Sequence, residues 1–268
     1  MKMAVIGAGM MGSAIVKGIV NKNVLKASDI FISDAASADK VNQLHDTLGT
    51  SCAASNIDAV SGADVVLIAV KPQFLADVAA EIKGHIPEDA LLMTIVVGVP
   101  TSYYPEAMGA KRIVRVMPNT PAQVGEGVCA WYAAGPVSAE QKKLAESILS
   151  ALGMQFEANR ENMLDLVTAV SGSGPAYVFL FIEAMTDTAV HMGIPRPTAQ
   201  QIALQTVLGS AEYMKQSGKH PVILKNEVTS PGGTTAEALA VMEKEGLRTA
   251  LADGMWACLN RTIELGKK

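Results

Sequence analysis

Apolar residues along this chain fall into two regimes. Up to about residue 158 they come as short, nearly unbroken runs: Met3 to Ile6, Ile30 to Ile32, Val65 to Val70, Leu91 to Val97, Ile113 to Met117 and Gly127 to Tyr132. Runs of this length without polar alternation predict parallel strands covered on both faces. Helix-spaced segments lie between them. One runs from Met11 to Asn21. Another is opened by the capping box Ser138-Ala139-Glu140-Gln141 and extends to about Leu152. Thr101 is placed to cap a short helix into Tyr104, and a strand near Gln155 to Glu157 closes this half. The alternation predicts an α/β fold: a Rossmann-like, doubly wound, mostly parallel sheet.

From Glu161 onward the strand pattern is gone. Pro175 is expected to open a helix to about Met192, since its missing N–H costs nothing there. That helix carries Val178, Phe179, Phe181, Ile182, Met185 and Val190 around much of its circumference, so it belongs at the centre of a bundle or in a subunit interface. Further helices are expected over Pro197 to Ser217, Pro221 to Lys225, Thr234 to Lys244 and Leu247 to Leu265. The division is a sheet domain over residues 1–158 and an all-α domain over residues 159–268.

The first strand is followed by Gly7-Ala8-Gly9-Met10-Met11-Gly12, a Gly-x-Gly-x-x-Gly loop entering a helix. Gly7 permits the tight turn, Gly9 lets a pyrophosphate approach the backbone, and Gly12 lets helix and strand pack closely. The helix start offers free N–H groups and a positive dipole end. Asp34 ends the second strand about 20 residues further on, where a dinucleotide-binding fold places the acid that holds the adenosine ribose. The competing role for Asp34 is a cap on the next turn or helix. Ligands of such sheets lie beyond the carboxyl ends of the strands, so Ala69, Val70, Lys71 and Pro72 are expected at the cofactor. Lys71 also fits an ordinary solvated strand-end lysine.

A second anion site is indicated by Ser230-Pro231-Gly232-Gly233-Thr234-Thr235. Gly232 and Gly233 leave backbone amides open beside a helix start, and the Ser230, Thr234 and Thr235 hydroxyls add directed hydrogen bonds. Thr234-x-x-Glu237 reads as a capping box, so a loop that only caps its own helix is the alternative. Ser171-Gly172-Ser173-Gly174 lacks the strand–helix elbow and the base that a nucleophilic serine needs, and suits close helix packing or the flank of a site.

Composition narrows the classes. The chain has 268 residues, 49% hydrophobic and 18% charged, which supports a sizeable core. A net charge of −4 argues against nucleic acid or an anionic membrane as main partner. Cys52, Cys129 and Cys258 form no Cys-x-x-Cys, which fits a reduced, cytoplasmic protein. The four histidines have no metal-ligand spacing, so no metal is expected. The longest apolar candidate for a span, Leu91 to Pro100, is short of a membrane crossing, and the glycine-rich start does not suit an export signal.

Three stretches together resemble pyrroline-5-carboxylate reductases: Ala69-Val70-Lys71-Pro72; Val116-Met117-Pro118-Asn119-Thr120; and the pair Val170 to Tyr177 with Val228 to Thr235. The resemblance covers nearly the whole chain. It implies reduction of 1-pyrroline-5-carboxylate to L-proline, the last step of proline biosynthesis, with NADPH or NADH as hydride donor. It implies cofactor contacts from Gly7, Gly9 and Gly12, from Ala69 to Pro72, and from Asn56. It implies that the substrate carboxylate sits around Ser230, Gly233, Thr234 and Thr235, with Thr235 near the ring nitrogen. It also implies a homodimer through the C-terminal helices, in some members a larger ring, with sites drawing on two protomers. One departure stands out. Ser33-Asp34-Ala35-Ala36-Ser37 carries an acid and no arginine, which predicts that NADH is used at least as readily as NADPH. Rival readings are a β-hydroxyacid dehydrogenase, which would need a lysine in the helix Ala176 to Met192, and a non-catalytic dinucleotide-sensing or pyridoxal-phosphate-binding dimer, which has no need of the Ser230 loop.

Overall fold

The computed structural model describes residues 1–266. It contains two compact units: Met1–Ser173 together with the chain from Cys258 onward, and the intervening Gly174–Ala257.

The first unit is built on one eight-stranded sheet. In chain order its elements are β1 (Met3–Ile6), α1 (Met10–Asn21), β2 (Ile30–Ser33), α2 (Ala38–Leu48), β3 (Ser51–Cys52), α3 (Asn56–Val60), β4 (Val65–Ile68), α4 (Leu75–Ile82), β5 (Leu91–Thr94), α5 (Tyr103–Met108), β6 (Arg112–Met117), β7 (Gly127–Ala134), α6 (Ala139–Ser150), β8 (Gly153–Glu157) and α7 (Met163–Val167). The strands lie in the order β3-β2-β1-β4-β5-β6-β7-β8. All neighbours are parallel except β6 and β7. Strand order reverses between β1 and β4, which opens a crevice at their carboxyl ends.

The unbroken apolar runs are explained by burial on both sides. Met3, Val5, Val65, Leu67, Leu91 and Met93 pack under Ile15, Val16 and Ile19 of α1 and Ile148 and Leu149 of α6. Their alternates Ala4, Ile6, Val66, Ile68 and Leu92 pack against Val60 of α3, Val78 and Ile82 of α4, and Tyr104 and Met108 of α5. Successive side chains of a strand point to opposite faces, so only a run apolar at every position serves two helical layers. Each large side chain so buried contributes roughly 1.5–3 kcal/mol. The Ser138 cap forms as expected: its hydroxyl accepts the Gln141 N–H and the Gln141 side chain accepts the Ser138 N–H.

Several element ends differ from the sequence expectation. β4 stops at Ile68, so Ala69 and Val70 follow the strand. β5 stops at Thr94 because the Thr94 hydroxyl accepts the Val96 N–H at 3.3 Å and diverts the backbone from the ladder. Thr101 caps no helix. α5 starts at Tyr103 without a side-chain cap, and Thr101 is bonded to Glu161 instead. The sheet unit also runs past residue 158. Leu164 is buried with Ala130 and Ala158, and Arg115 on β6 reaches both Glu161 and Asp165.

A π turn over Thr168–Gly172 follows α7, with the Ser173 N–H donating to the Thr168 carbonyl at 2.9 Å. Then comes α8 (Gly174–His191), with Pro175 as its second residue, where a helix has no use for the missing N–H. The second unit continues with α9 (Arg196–Ser217), α10 (Pro221–Glu227), α11 (Thr234–Lys244) and most of α12 (Leu247–Leu265). Its apolar side chains are largely uncovered in the single chain. α8 buries only Thr186, while Phe179 and Leu180 are 63% and 65% exposed. One helical run among the described residues, Met163–His191, is long and apolar enough to cross a membrane by length and composition. The count of consecutive apolar residues missed it because small polar residues interrupt the run.

Candidate functional site

The Gly-rich loop sits at the mouth of the β1/β4 crevice, and each glycine has a geometric cause. Gly7 has φ +108°, and a Cβ there would meet the Ala69 carbonyl oxygen at 2.7 Å. Its N–H donates to the Ser33 carbonyl at 2.8 Å, carrying the loop across to β2. A Cβ on Gly12 would meet the Gly7 carbonyl oxygen at 2.2 Å, so α1 packs directly on the turn. Nothing lies within 4 Å of where a Cβ on Gly9 would be. That open face, beside the first N–H groups of α1, fits a pyrophosphate. Met10 is exposed at the rim, Met11 is half-buried and Ala8 is buried.

Asp34 follows β2 and faces this loop. Its Oδ2 accepts the Ala8 N–H at 2.7 Å and its Oδ1 the Ala36 N–H at 3.0 Å. The carboxylate therefore ties the Gly-rich loop to the β2–α2 connection and caps the turn there, but no helix; α2 opens from Ser37 without a side-chain cap. The Ala69 N–H donates to the Ile6 carbonyl at 2.8 Å, which holds Ala69 and Val70 against the end of β1. Lys71 and Pro72 are exposed beyond them, and Lys71 makes no ion pair among the described residues. Asn56, the first residue of α3, is buried. Its Nδ2 donates to Glu81 at 2.7 Å and its Oδ1 has no partner among the described residues. A cleft of about 210 Å³ beside Gly9 and Met10 is lined also by Ser13, Lys17, Lys40 and Gln123.

Side chains that sequence patterning passed over brace the same edge. The Ser13 hydroxyl donates to the Ala8 carbonyl at 2.9 Å. Asn119, after β6, accepts the Val128 N–H at 2.8 Å and donates to the Ser171 hydroxyl at 3.0 Å, so it joins β6, β7 and the π turn. Gly172 packs on the same strand end, where a Cβ would meet Met117 Cε at 2.6 Å. Ser173 faces the Cys258 sulfur at 3.1 Å, and among the described residues neither Ser171 nor Ser173 is bonded to a base, in keeping with a packing role. The signal available in sequence was Asn119 between two prolines after a strand, a polar residue where a turn alone required none.

In the second unit, Ser230 to Gly233 form a turn. The Gly233 N–H donates to the Ser230 carbonyl at 3.0 Å, Pro231 takes the second place, and Gly232 has φ +68°. Proline followed by a left-handed glycine is the signature of a type II turn. The capping box expected at Thr234 is absent. Gly233 is the N-cap, with no side-chain cap, and Thr234 is already the first helical residue. The reason is the turn, which delivers Gly233 in extended conformation at the helix start. The consequence favours a ligand: the hydroxyls of Ser230, Thr234 and Thr235 make no hydrogen bond within the described residues and stand beside free helix-start amides.

Residues 161–265 match the family model described as pyrroline-5-carboxylate reductase dimerisation, and residues 2–100 match one described as NADP oxidoreductase, coenzyme F420-dependent. The dimerisation match starts close to the expected boundary at 158, whereas the packing unit runs on to Ser173. The chain is 40% identical to the pyrroline-5-carboxylate reductase of Synechocystis sp. over 267 residues, covering 100% of this chain and 99% of that one. Among solved structures, a pyrroline-5-carboxylate reductase from Coxiella burnetii matches with TM-score 0.92 and 36% identity, covering 100% and 99% of the two chains. A Plasmodium falciparum pyrroline carboxylate reductase, solved with NADP bound, matches with TM-score 0.89 and 33% identity over 99% and 98%. With the dinucleotide crevice and the Ser230 loop both formed, the chain belongs to the pyrroline-5-carboxylate reductase family, the NAD(P)H-dependent oxidoreductases that reduce 1-pyrroline-5-carboxylate to L-proline in proline biosynthesis.

Proposed function

We propose that the two sites described above divide the reaction between them. Gly7, Ala8, Gly9, Met10, Met11 and Gly12 hold the dinucleotide pyrophosphate; Asp34 and Asn56 take the adenosine side; Ala69, Val70, Lys71 and Pro72 line the far side of the crevice. The open space at Gly9 carries this reading. When bound, the reduced dinucleotide supplies a hydride to the carbon of the substrate's C=N bond. Residues 159–268 serve as the substrate and dimerisation domain. The Gly232 and Thr234 amides and the Ser230 and Thr234 hydroxyls donate to the substrate carboxylate, which lies against Gly233, whose own N–H is taken by the Ser230 carbonyl. The Thr235 hydroxyl bonds the ring nitrogen. A protonated imine is already a strong electrophile, so orientation and electrostatics suffice and no strong general acid is needed. Support comes from the three hydroxyls, which have no partner within the described residues.

The Asp34 carboxylate, fixed by two backbone N–H groups, favours a free ribose 2′-hydroxyl over a 2′-phosphate. NADH is therefore used at least as readily as NADPH. The protein works in the cytoplasm, where Cys52, Cys129 and Cys258 stay as free thiols. Its homodimers assemble further into a ring, without nucleic acid or membrane as partner.

The deciding experiment mixes the protein with 1-pyrroline-5-carboxylate and NADH or NADPH and follows loss of the reduced-nicotinamide absorbance. Turnover with both, and kcat/KM for NADH equal to or above that for NADPH, is expected. A large NADPH preference overturns the Asp34 argument. No turnover overturns the residue roles.

A further inference from the structure

The loop of residues 95–101, at the carboxyl end of β5, is pinned at both ends by side chains that no motif singled out. At its start, the buried Thr94 hydroxyl accepts the Val96 N–H and pairs with the Tyr104 hydroxyl at 2.7 Å. At its end, Glu161 holds Thr101 twice. Its Oε1 accepts the Thr101 N–H and its Oε2 the Thr101 hydroxyl, both at 2.7 Å. Glu161 is itself held from behind by Arg115 of β6, whose guanidinium donates to Glu161 and to Asp165, each at 3.1 Å. Thr101 and Arg115 are 6% and 7% exposed. A charge so deeply buried persists only when paired and hydrogen-bonded. The arrangement is therefore specified, with Arg115's ion pairs among the described residues directed to the segment that follows β8.

The strand order says what the loop is next to. Asp34 and β2 lie on one side of the β1/β4 crevice, and β5 lies on the other. A dinucleotide spans such a crevice, so the half away from Asp34 meets the ends of β4 and β5. Between the two pins stand Val97, 40% exposed, and Gly98 in left-handed conformation at φ +78°.

We propose that Glu161 is a positioning residue: backed by Arg115, it fixes the 95–101 loop through Thr101 and so shapes the half of the dinucleotide site beyond β4, without touching the dinucleotide. This rests on the crevice being the dinucleotide site. A clamp of this kind acts on one half of the ligand only, whereas a purely structural ion pair acts on both halves or on neither.

The test compares NADH with ADP-ribose, which keeps the adenosine and pyrophosphate and lacks the nicotinamide. Affinities are measured by calorimetry for wild type, Glu161→Gln, Thr101→Val and Thr101→Ser. Glu161→Gln and Thr101→Val are expected to weaken NADH about 10–100-fold, the scale of one charge-assisted hydrogen bond, with ADP-ribose changed less than about twofold. Thr101→Ser keeps the hydroxyl and stays within about twofold for both ligands, and the Glu161→Gln/Thr101→Val double variant is no weaker than the worse single one. Equal weakening of both ligands, or unchanged NADH affinity, overturns the proposal. If Glu161→Gln does not fold, the contrast between Thr101→Val and Thr101→Ser decides. If wild type binds NADH yet leaves the cyclic imine unreduced, the functional reading fails while this comparison still stands.

Discussion

Thr235 and Asp34 are both polar residues at the start of a new element, yet the structure treats them oppositely. The Thr235 hydroxyl has no partner among the described residues, whereas both oxygens of Asp34 are occupied by backbone N–H groups. Removing an unpartnered hydroxyl costs the fold little and the reaction much. Thr235→Ala is expected to keep the wild-type melting temperature and lose about 10–100-fold in kcat/KM for the imine, the equivalent of roughly 1.5–3 kcal/mol. Thr235→Ser recovers most of it. Unchanged steady-state kinetics in Thr235→Ala would remove the residue from the mechanism. Cysteine chemistry separates by burial in the same way. Desolvation pushes the Cys129 thiol up to about 12, so it stays protonated and inert, while Cys52 is exposed. A thiol reagent applied to the native protein should label Cys52 quickly and Cys129 only after unfolding, as peptide mapping would record.

At the scale of elements, the β1–α1 turn is the least forgiving. A methyl group on Gly12 would sit 2.2 Å from the Gly7 carbonyl oxygen, which is backbone and cannot swing away. Gly12→Ala should therefore displace α1, cost roughly 1–3 kcal/mol of stability by overpacking, and weaken dinucleotide affinity at least tenfold. Gly9→Ala, with open space around it, should leave urea unfolding unchanged and weaken only the ligand. Wild-type urea midpoints and affinities are the reference for both. α5 offers a pH-dependent test. Burial pushes Tyr104 up from 10.0 to about 12. The unfolded chain releases this proton first, so the stability contributed is whole below pH 10 and drains away as pH rises towards about 12. Tyr104→Phe should lose about 1 kcal/mol at neutral pH, from the broken Thr94 pair, and lack the wild type's decline in that alkaline window. Identical alkaline profiles for the two proteins would contradict the assignment.

These elements also mark where the sequence was legible. Strands buried on both faces announce themselves as apolar runs, and Ser138 to Gln141 carries its own cap, because the causes are local. The ends of β4 and β5 are set by where β1 stops and by the Thr94 hydroxyl, so the apolar runs overshot them. Thr101 looked like a cap because its true partner, Glu161, is 60 residues away. Thr234 looked like a cap because nothing in the pattern said that the Pro231-Gly232 turn would deliver Gly233 to that place first.

For the whole molecule the governing fact is the apolar surface of the second unit. Phe179, Leu180, Leu204 and Leu208 are each more than half exposed in the single chain, within a segment that matches a dimerisation family. Isolated proteins rarely leave so much large apolar surface in water. Covering the part of these four still exposed would contribute roughly 4–7 kcal/mol, at about 0.9–1.8 kcal/mol each. Association costs about 4–15 kcal/mol in lost freedom, so four residues alone scarcely offset it, and the two-fold repetition of the contact becomes decisive. In a symmetric dimer every substitution is made twice. Phe179→Glu would remove roughly 2–4 kcal/mol of apolar burial and place two carboxylates against apolar surface, raising the dimer dissociation constant by at least about 100-fold. Sedimentation at micromolar protein should then find the wild type as dimers or multiples of dimers and the variant shifted to monomer. Circular dichroism should report that its sheet unit is intact, since the β1–β8 core draws nothing from Phe179. NADH affinity should survive, because the Gly-rich loop lies wholly in the first unit, while turnover of the imine should fall with the dimer fraction. A variant that sediments like wild type would mean that α8 is covered by something other than a second copy of this chain.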